Sequence, residues 1–219
     1  MNNFSWAEID EIGQSGRAQQ LFSIGDTKDI SVSGETVTVE IFGFNHDDLQ
    51  NGGKAVYTFG MKHLMANVRQ MNEMQTNTGS FGGSDMYDYL KNTILPNLPQ
   101  ELKNCMKTVN KRTSGGNKST ETRIDAIKIF LFSVNEVAGT QSGTWVSNDE
   151  GSIYPVFTGD ASRIKKLSNG SGDVKRWWLR SPVLYNSGCF CDVSDSGYVG
   201  NPSAGYATIS EGVCFGFCV

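Results

Sequence analysis

Trp177-Trp178-Leu179-Arg180-Ser181-Pro182 carries two indoles, a leucine and a guanidinium in one short run that ends on a proline. Large apolar side chains at consecutive positions read as a strand covered on both faces, and a proline sets the turn where such a strand stops. A guanidinium in that company can stack on an indole and donate in a fork to a carboxylate or to several loop carbonyls; alternatively it faces a ligand. The strand-into-turn pattern favours the first role, so Trp177, Trp178 and Arg180 are expected to be structural anchors. Beyond the proline the composition changes. Residues 183–210 contain no Lys, Glu, Gln, Met or Trp, and Gly, Ser, Tyr, Asn and Asp take their place. Small adaptable polar residues with interspersed tyrosines are the composition of a binding surface.

The rest of the chain reads as a frame. With 219 residues, folding buries roughly 70% of the surface of the unfolded chain, enough for a core without covalent staples. The net charge of −4 speaks against a phosphate-binding face, and the cluster Lys111, Arg112, Lys118, interrupted by Gly115 and Gly116, reads as a solvated loop. No apolar run reaches the length of a membrane span, and the first residues lack the basic-then-apolar layout of a signal peptide. The expected location of synthesis is therefore the cytoplasm, without a signal peptide.

Residues 5–8, Ser-Trp-Ala-Glu, have the form of a capping box opening a short helix. Residues 30–32 and 36–44, separated by Ser33-Gly34-Glu35, predict a β-hairpin, and residues 56–59 a further strand. Ser84 opens a helical pattern that Pro96 is expected to end, and a second short helix is expected over residues 98–106. Residues 108–121 read as a flexible hairpin tip. Residues 123–134 predict a single central strand, and residues 135–172 a long loop packed through Trp145, Tyr154, Phe157 and Ile164. Short strands are expected at 177–180, 188–193 and 213–219. The sum is an α+β fold of short helices and mixed, mainly antiparallel strands in a single domain over residues 1–219.

Candidate chemistry is sparse. Asn45-His46-Asp47-Asp48 sets an imidazole beside two carboxylates, which fits either a metal or acid/base site or a hydrogen-bonded turn at a strand end; consecutive residues rarely converge on one ion, which favours the turn. Five cysteines, Cys105, Cys189, Cys191, Cys214 and Cys218, admit buried thiols, a metal site or a disulfide, with buried reduced thiols fitting the spacing best. No hydrolase elbow, phosphate loop or dinucleotide fingerprint is present. Alternation along residues 189–194 places Cys189, Cys191 and Val193 on one face and Phe190, Asp192 and Ser194 on the other.

WWLRSP at 177–182, CDVSDSGYV at 191–199 and the closing GVCFGFCV at 212–219, with LFSIGD at 21–26, IFGFNHDDL at 41–49 and RIKKLSNGSG at 163–172, resemble a group of proteins from gut Firmicutes and their phages. That group is similar to the formylglycine-generating-enzyme-like branch of the C-type lectin fold, which includes the variable proteins of diversity-generating retroelements. The resemblance implies a C-type lectin-like domain in which residues 177–219 form a ligand-display segment rewritten by adenine-directed mutagenesis. Randomised adenines in AAC or AAT codons never encode Lys, Glu, Gln, Met or Trp, the types missing from 183–210. The ligand face implied comprises Leu184, Tyr185, Asn186, Ser187, Phe190, Asp192, Ser194, Asp195, Tyr198, Asn201, Ser203, Tyr206 and Thr208. The function implied is non-enzymatic recognition of a protein or glycan receptor on a bacterial cell surface, such as phage attachment, by a virion-associated or surface-displayed protein, with no cofactor or metal, no nucleic acid, no membrane insertion, and a homo-oligomer as a route to avidity. A copper oxidase of the formylglycine-generating type using Cys214 and Cys218, and a structural virion component, are the alternatives.

Overall fold

Ser5 starts the first helix as the capping box predicts: its hydroxyl accepts from the Glu8 amide at 3.2 Å, and the Glu8 carboxylate accepts from the Ser5 amide at 2.7 Å. This computed structural model describes residues 1–141, 145–200 and 204–219. Helix α1 (Trp6–Gln14) buries Trp6, Ile9 and Ile12 and is followed by one turn, α2 (Ala18–Leu21). Strands β1 (Thr27–Val32) and β2 (Glu35–Phe44) form the expected hairpin. Its two-residue turn, Ser33 at φ 53° and Gly34 at φ 85°, has both residues in the left-handed region, whose twist matches that of the flanking strands.

Strand β3 (Tyr57–Met61) is wholly buried. Ser84 caps α3 (Asp85–Tyr89) by accepting from the Tyr87 amide at 3.1 Å. The chain does not stop at Pro96: a π turn (Leu90–Ile94) and a 3-10 turn (Leu95–Asn97) carry it on. Pro96 occupies the first positions of that last turn, where a missing N–H leaves no bond unmade. Helix α4 (Gln100–Cys105) follows.

Two expectations for the middle of the chain need correcting. Residues 108–121 are not all loop, because β4 (Val109–Ser114) pairs with β5 (Thr122–Ile127) and only 115–121 form the tip. Residues 123–134 are not one strand either. β5 belongs to the hairpin and is largely exposed, whereas β6 (Ile129–Leu131) is buried and pairs elsewhere. Large side chains on both faces need cover on both faces, and only β6 has it. A second capping box, Ser133 with Glu136, then opens α5 (Val134–Ala138) inside the stretch read as a loop. That stretch also holds α6 (Asp160–Arg163). Trp145, Tyr154 and Phe157 pack into the core, but Ile164 is 40% exposed and does not.

Strands β7 (Trp177–Pro182), β8 (Cys189–Val193) and β9 (Ala204–Tyr206) make a three-stranded antiparallel sheet. The last strand, β10 (Phe215–Cys218), goes back to the start of the molecule and inserts between β3 and β6, completing a five-stranded sheet ordered β1-β2-β3-β10-β6 with every pair antiparallel. Tyr57 and Val219 exchange amide hydrogen bonds of 2.9 and 3.0 Å, so the closing residues are held as a central strand. Gly60 and Gly216 face each other across β3 and β10. A side chain on Gly60 would run into the Phe42 ring, and one on Gly216 would lie 2.5 Å from Phe132. Those rings stack with centroids 4.8 Å apart, filling the space the glycines leave. One hydrophobic cluster runs from Trp6 to Val219, and the mixed α+β class with antiparallel sheets is as the sequence predicts.

Candidate functional site

All six residues of β7 are buried, and their polar atoms all turn inward. The Trp177 indole donates to the Arg163 carbonyl at 3.0 Å and the Trp178 indole to the Arg69 carbonyl at 2.7 Å. Arg180 donates to the Thr113 hydroxyl (3.0 Å), to the Leu131, Arg112 and Glu150 carbonyls (3.0, 3.2 and 3.1 Å), and by a fork to the Glu136 carboxylate. A planar five-donor cation is the side chain able to tie that many directions together in a dry site. It joins β4, β6, β7 and α5.

Sequence reasoning missed most of the network below. Lys111, read as part of a solvated loop, is fully buried: it sits on the inward face of β4, 3.9 Å from the centre of the Phe130 ring. Its ammonium donates to Asp47, to Glu136 at 2.9 Å and to the Tyr154 hydroxyl at 2.7 Å. Asp47 also accepts from Tyr154, at 2.9 and 2.8 Å, and from Thr58. Burial opposes the charge on Asp47, but the Lys111 ammonium and the hydrogen bonds outweigh it and hold the carboxyl well below its usual range. Glu136 behaves alike, lowered against burial by Arg180 and Lys111. Glu150 differs, since burial dominates and raises it to about 7. His46 stacks on Tyr154 with ring centroids 4.0 Å apart and places Nδ1 3.9 Å from Asp47. The tetrapeptide at 45–48 is not the hydrogen-bonded turn expected: it bends at the end of β2 and pairs across to residues 54–56, the Asn45 amide donating to Val56 and the Ala55 amide to Asp47, while the Asp47 side chain supplies an internal charge. A cleft of about 390 Å³ opens above the cluster, rimmed by the ion pairs Lys54 to Asp48 (2.7 Å) and Arg112 to Asp149 (3.1 Å). Every donor of Lys111 is used, so the cluster cross-braces β4, α5 and the residues around Asp47 and Tyr154.

All five cysteines are free and buried. Cys214 is pushed up by burial to about 11, and Cys218 well above its usual value. The two lie four residues apart along extended chain, roughly 13 Å by strand rise. Their thiols meet different partners, the Met61 carbonyl for Cys214 and Thr58 with Asp47 for Cys218. Among the described residues no cluster of three or more His, Cys, Asp or Glu is placed to hold a metal ion.

Residues 183–210 are pinned near both ends by residues outside the segment. Asn77, fully buried between β3 and α3, donates its side-chain amide to the carbonyls of Val183, Asn186 and Cys189 at 3.3, 3.0 and 2.8 Å. Its backbone amide donates to Ser187, and its side-chain oxygen accepts from the Asn117 amide at 2.7 Å. At the far end the amides of Met71 and Asn72 both donate to the Ala207 carbonyl, at 2.9 and 3.0 Å. An asparagine followed by threonine and glycine reads as an ordinary turn, so no sequence signal separates this one from its neighbours.

Between those pins, Tyr185, Tyr198 and Tyr206 are 52%, 47% and 51% exposed. Asp195 and Thr208 are exposed, and Leu184, Asn186 and Ser187 half-buried. Asn201 and Ser203 lie outside the described residues. Three expected ligand-face residues are placed otherwise: Phe190, Asp192 and Ser194 are buried. Alternation along β8 presupposed one solvated face, whereas β8 is the middle strand of its sheet and every residue in it is covered. Asp192 accepts both oxygens' worth of bonding from Arg176, at 2.7 Å each, and Arg176 also reaches Glu211 at 3.3 Å. Burial raises both carboxyls, and the neighbouring Asp192 charge helps raise Glu211 to about 8.

A family model described as a domain of unknown function, DUF6273, matches residues 57–214. The chain belongs to that family, and the match runs from β3 to the residue before β10. Neither the curated proteins nor the solved structures contain a match to it. Among the described residues no helix is long and apolar enough to cross a membrane.

Proposed function

We propose that this chain is a non-enzymatic recognition domain of C-type lectin-like fold whose segment 183–210 presents a diversified ligand face, acting in receptor binding on a bacterial cell surface, as in phage attachment. One observation carries the reading. The backbone of the segment is supported by Asn77, by the Trp145 carbonyl accepting from the Leu184 amide at 2.9 Å, and by the Met71 and Asn72 amides. Meanwhile the side chains of Tyr185, Tyr198 and Tyr206 are about half exposed, each presenting part of its ring to solvent. Backbone support that does not depend on side-chain identity is what a surface needs if its residues are to change without loss of fold. Tyrosine supplies rigid contact area at small entropic cost, and the flanking Asn, Ser, Asp and Thr supply adaptable hydrogen bonds.

Two tests address the two halves of the proposal. The DNA encoding the chain is expected to lie near a reverse-transcriptase gene and a template repeat matching the segment for 183–210, with differences confined to template adenines; mismatches spread over all bases refute diversification. Alanine at both Tyr198 and Tyr206 is expected to abolish attachment to the host cell while leaving thermal stability within the usual range for surface substitutions, about 0.5 kcal/mol. Intact attachment refutes the recognition role.

A further inference from the structure

We propose that Leu184 and Tyr185, together with Lys118, Thr120, Ser147 and Asn148 of the frame, form a recognition subsite for a carboxylate-bearing sugar. The inference rests on the recognition role above and assigns one pocket of that surface a ligand class.

These side chains, with Val146, line a cleft of about 380 Å³, a size that suits a small ligand. Its walls come from three separate parts of the chain. One is the start of the display segment, one the tip of the β4–β5 hairpin, and one the stretch after Trp145. Backbone hydrogen bonds fix all three together. Leu184 donates to the Trp145 carbonyl at 2.9 Å. The Asn77 side chain holds the display backbone on one side and the Asn117 amide on the other. The tip itself bends through three successive left-handed residues, Gly116, Asn117 and Lys118, at φ 73°, 48° and 65°. A side chain on Gly116 would collide with the backbone of Asn77, so the tip is seated directly on the strut that carries the display loop. Substituting Leu184 or Tyr185 removes none of these bonds. The pocket therefore persists whatever residues the display segment carries, with one wall that changes and two that do not.

The chemistry of the fixed walls selects the ligand. Lys118 is the sole charged residue among the described residues lining the cleft. Two carboxylates adjoin the lining in sequence: Asp149, beside Asn148, is engaged by Arg112 at 3.1 Å, and Glu121, beside Thr120, is not among the residues lining the cleft. An ammonium at the mouth of a partly apolar cleft attracts an anion and, as a compact point charge, accommodates a carboxylate without demanding fork geometry. Thr120, Ser147 and Asn148 add two hydroxyls and an amide, groups that both donate and accept. That density of two-way hydrogen bonding matches a ring bearing several hydroxyls better than an acidic peptide, whose backbone offers one donor and one acceptor per residue. The Tyr185 ring and Leu184 supply an apolar face for the ring carbons.

Amide chemical-shift titration of the full chain tests this with D-glucuronate, D-glucose and a blocked peptide containing one glutamate as probes. Glucuronate is expected to shift the amides of residues 118–120, 146–148 and 184–185, and to bind at least tenfold more tightly than glucose at low salt. Lys118→Gln, at an exposed position, is expected to bring glucuronate down to the level of glucose, and Tyr185→Ala to weaken both sugars. Leu21→Ala, exposed on α2 and outside both the cleft and the ligand face, is expected to leave both unchanged. Equal binding of glucose and glucuronate, glucuronate binding that survives Lys118→Gln, or a response to the peptide with none to the sugars overturns the proposal. Lys118-dependent binding of glucuronate by a protein whose host attachment survives alanine at Tyr198 and Tyr206 would instead sink the broader display reading and leave the subsite standing.

Discussion

Lys111→Met keeps the length and apolar stem of the side chain and removes only the ammonium, so it isolates the charge at the centre of the buried network. The stem still fills the space beside Phe130, and the cavity contribution is small. What is lost is one ion pair to Asp47, one to Glu136 and one bond to Tyr154. The two carboxylates do not suffer equally. Glu136 retains the Arg180 fork and the Ser133 amide at 3.1 Å. Asp47 keeps Tyr154, Thr58 and Cys218 as hydrogen-bond donors, with the His46 ring 3.9 Å away, but loses its lysine. Breaking a buried pair by deleting one partner costs about 3 to 5 kcal/mol, and with Glu136 still compensated the lower figure, about 3 kcal/mol, applies. For a chain of this size that is a fall in Tm of roughly 10 °C. Urea unfolding of the single and double variants measures it. Lys111→Met with Asp47→Asn is expected to recover more than about 1 kcal/mol relative to the sum of the single changes, because removing the uncompensated charge removes its desolvation penalty. A loss under about 1 kcal/mol for Lys111→Met, or strict additivity with Asp47→Asn, refutes the view that these charges act as one brace.

Stability should depend on pH in a particular direction. Glu150 and Glu211 have folded pKa values raised from 4.5 to about 7 and about 8. Raised carboxyls hold protons that the unfolded chain has released, so their contribution is full below about pH 4.5 and is lost as pH rises toward 7 to 8. For Glu150 alone the change is on the order of 3 kcal/mol, at about 1.4 kcal/mol for each tenfold change in acidity. Asp47 and Glu136 are lowered and act oppositely, costing stability only as pH falls below the usual carboxylate range. Tm is therefore expected to peak on the acid side, near pH 5, and decline to pH 8, with Glu211→Gln flattening the upper part of the decline; a Tm that rises from pH 5 to 8 contradicts this. Asn77→Ala is expected to cost about 2 kcal/mol and to abolish hydrogen-exchange protection over residues 183–189. Asn77→Asp, though closer in shape, is expected to cost more, because it turns a carboxylate toward three carbonyls; the reverse order in chemical denaturation would show that the strut is not held by its amide donors. Gly60→Ala is expected to cost about 1 to 3 kcal/mol by overpacking, with Phe42→Leu in the same chain recovering part of it, as calorimetry of the pair would show.

The local elements were legible where one residue fixes its neighbours. The Ser5 box, the Ser33-Gly34 turn and the Ser84 cap each depend on contacts within a few residues, and each forms where the pattern places it. Misreadings fell where burial is set from far away. Lys111 looks solvated beside Arg112 and the glycines, yet period-two alternation along β4 turns it inward, toward carboxylates supplied by residues 47 and 136. Phe190 and Asp192 were placed outside because alternation names two faces but does not say whether the second is covered. Asn77 gave no signal, since its partners lie more than a hundred residues away.

Hydrophobic periodicity, caps and turn residues, all short-range quantities, by themselves determined the α+β class, the N-terminal hairpin and the contrast between a tryptophan-anchored strand and the segment after it. Tertiary structure alone decided that β10 closes the first sheet, that Lys111 and Arg180 brace a buried set of carboxylates, and that Asn77 ties residues 183–189 to a distant hairpin tip. The reason is physical: a side chain's charge and hydrogen-bonding capacity are written in the sequence, but the partners that satisfy them are chosen only when folding brings remote segments within about 3 Å.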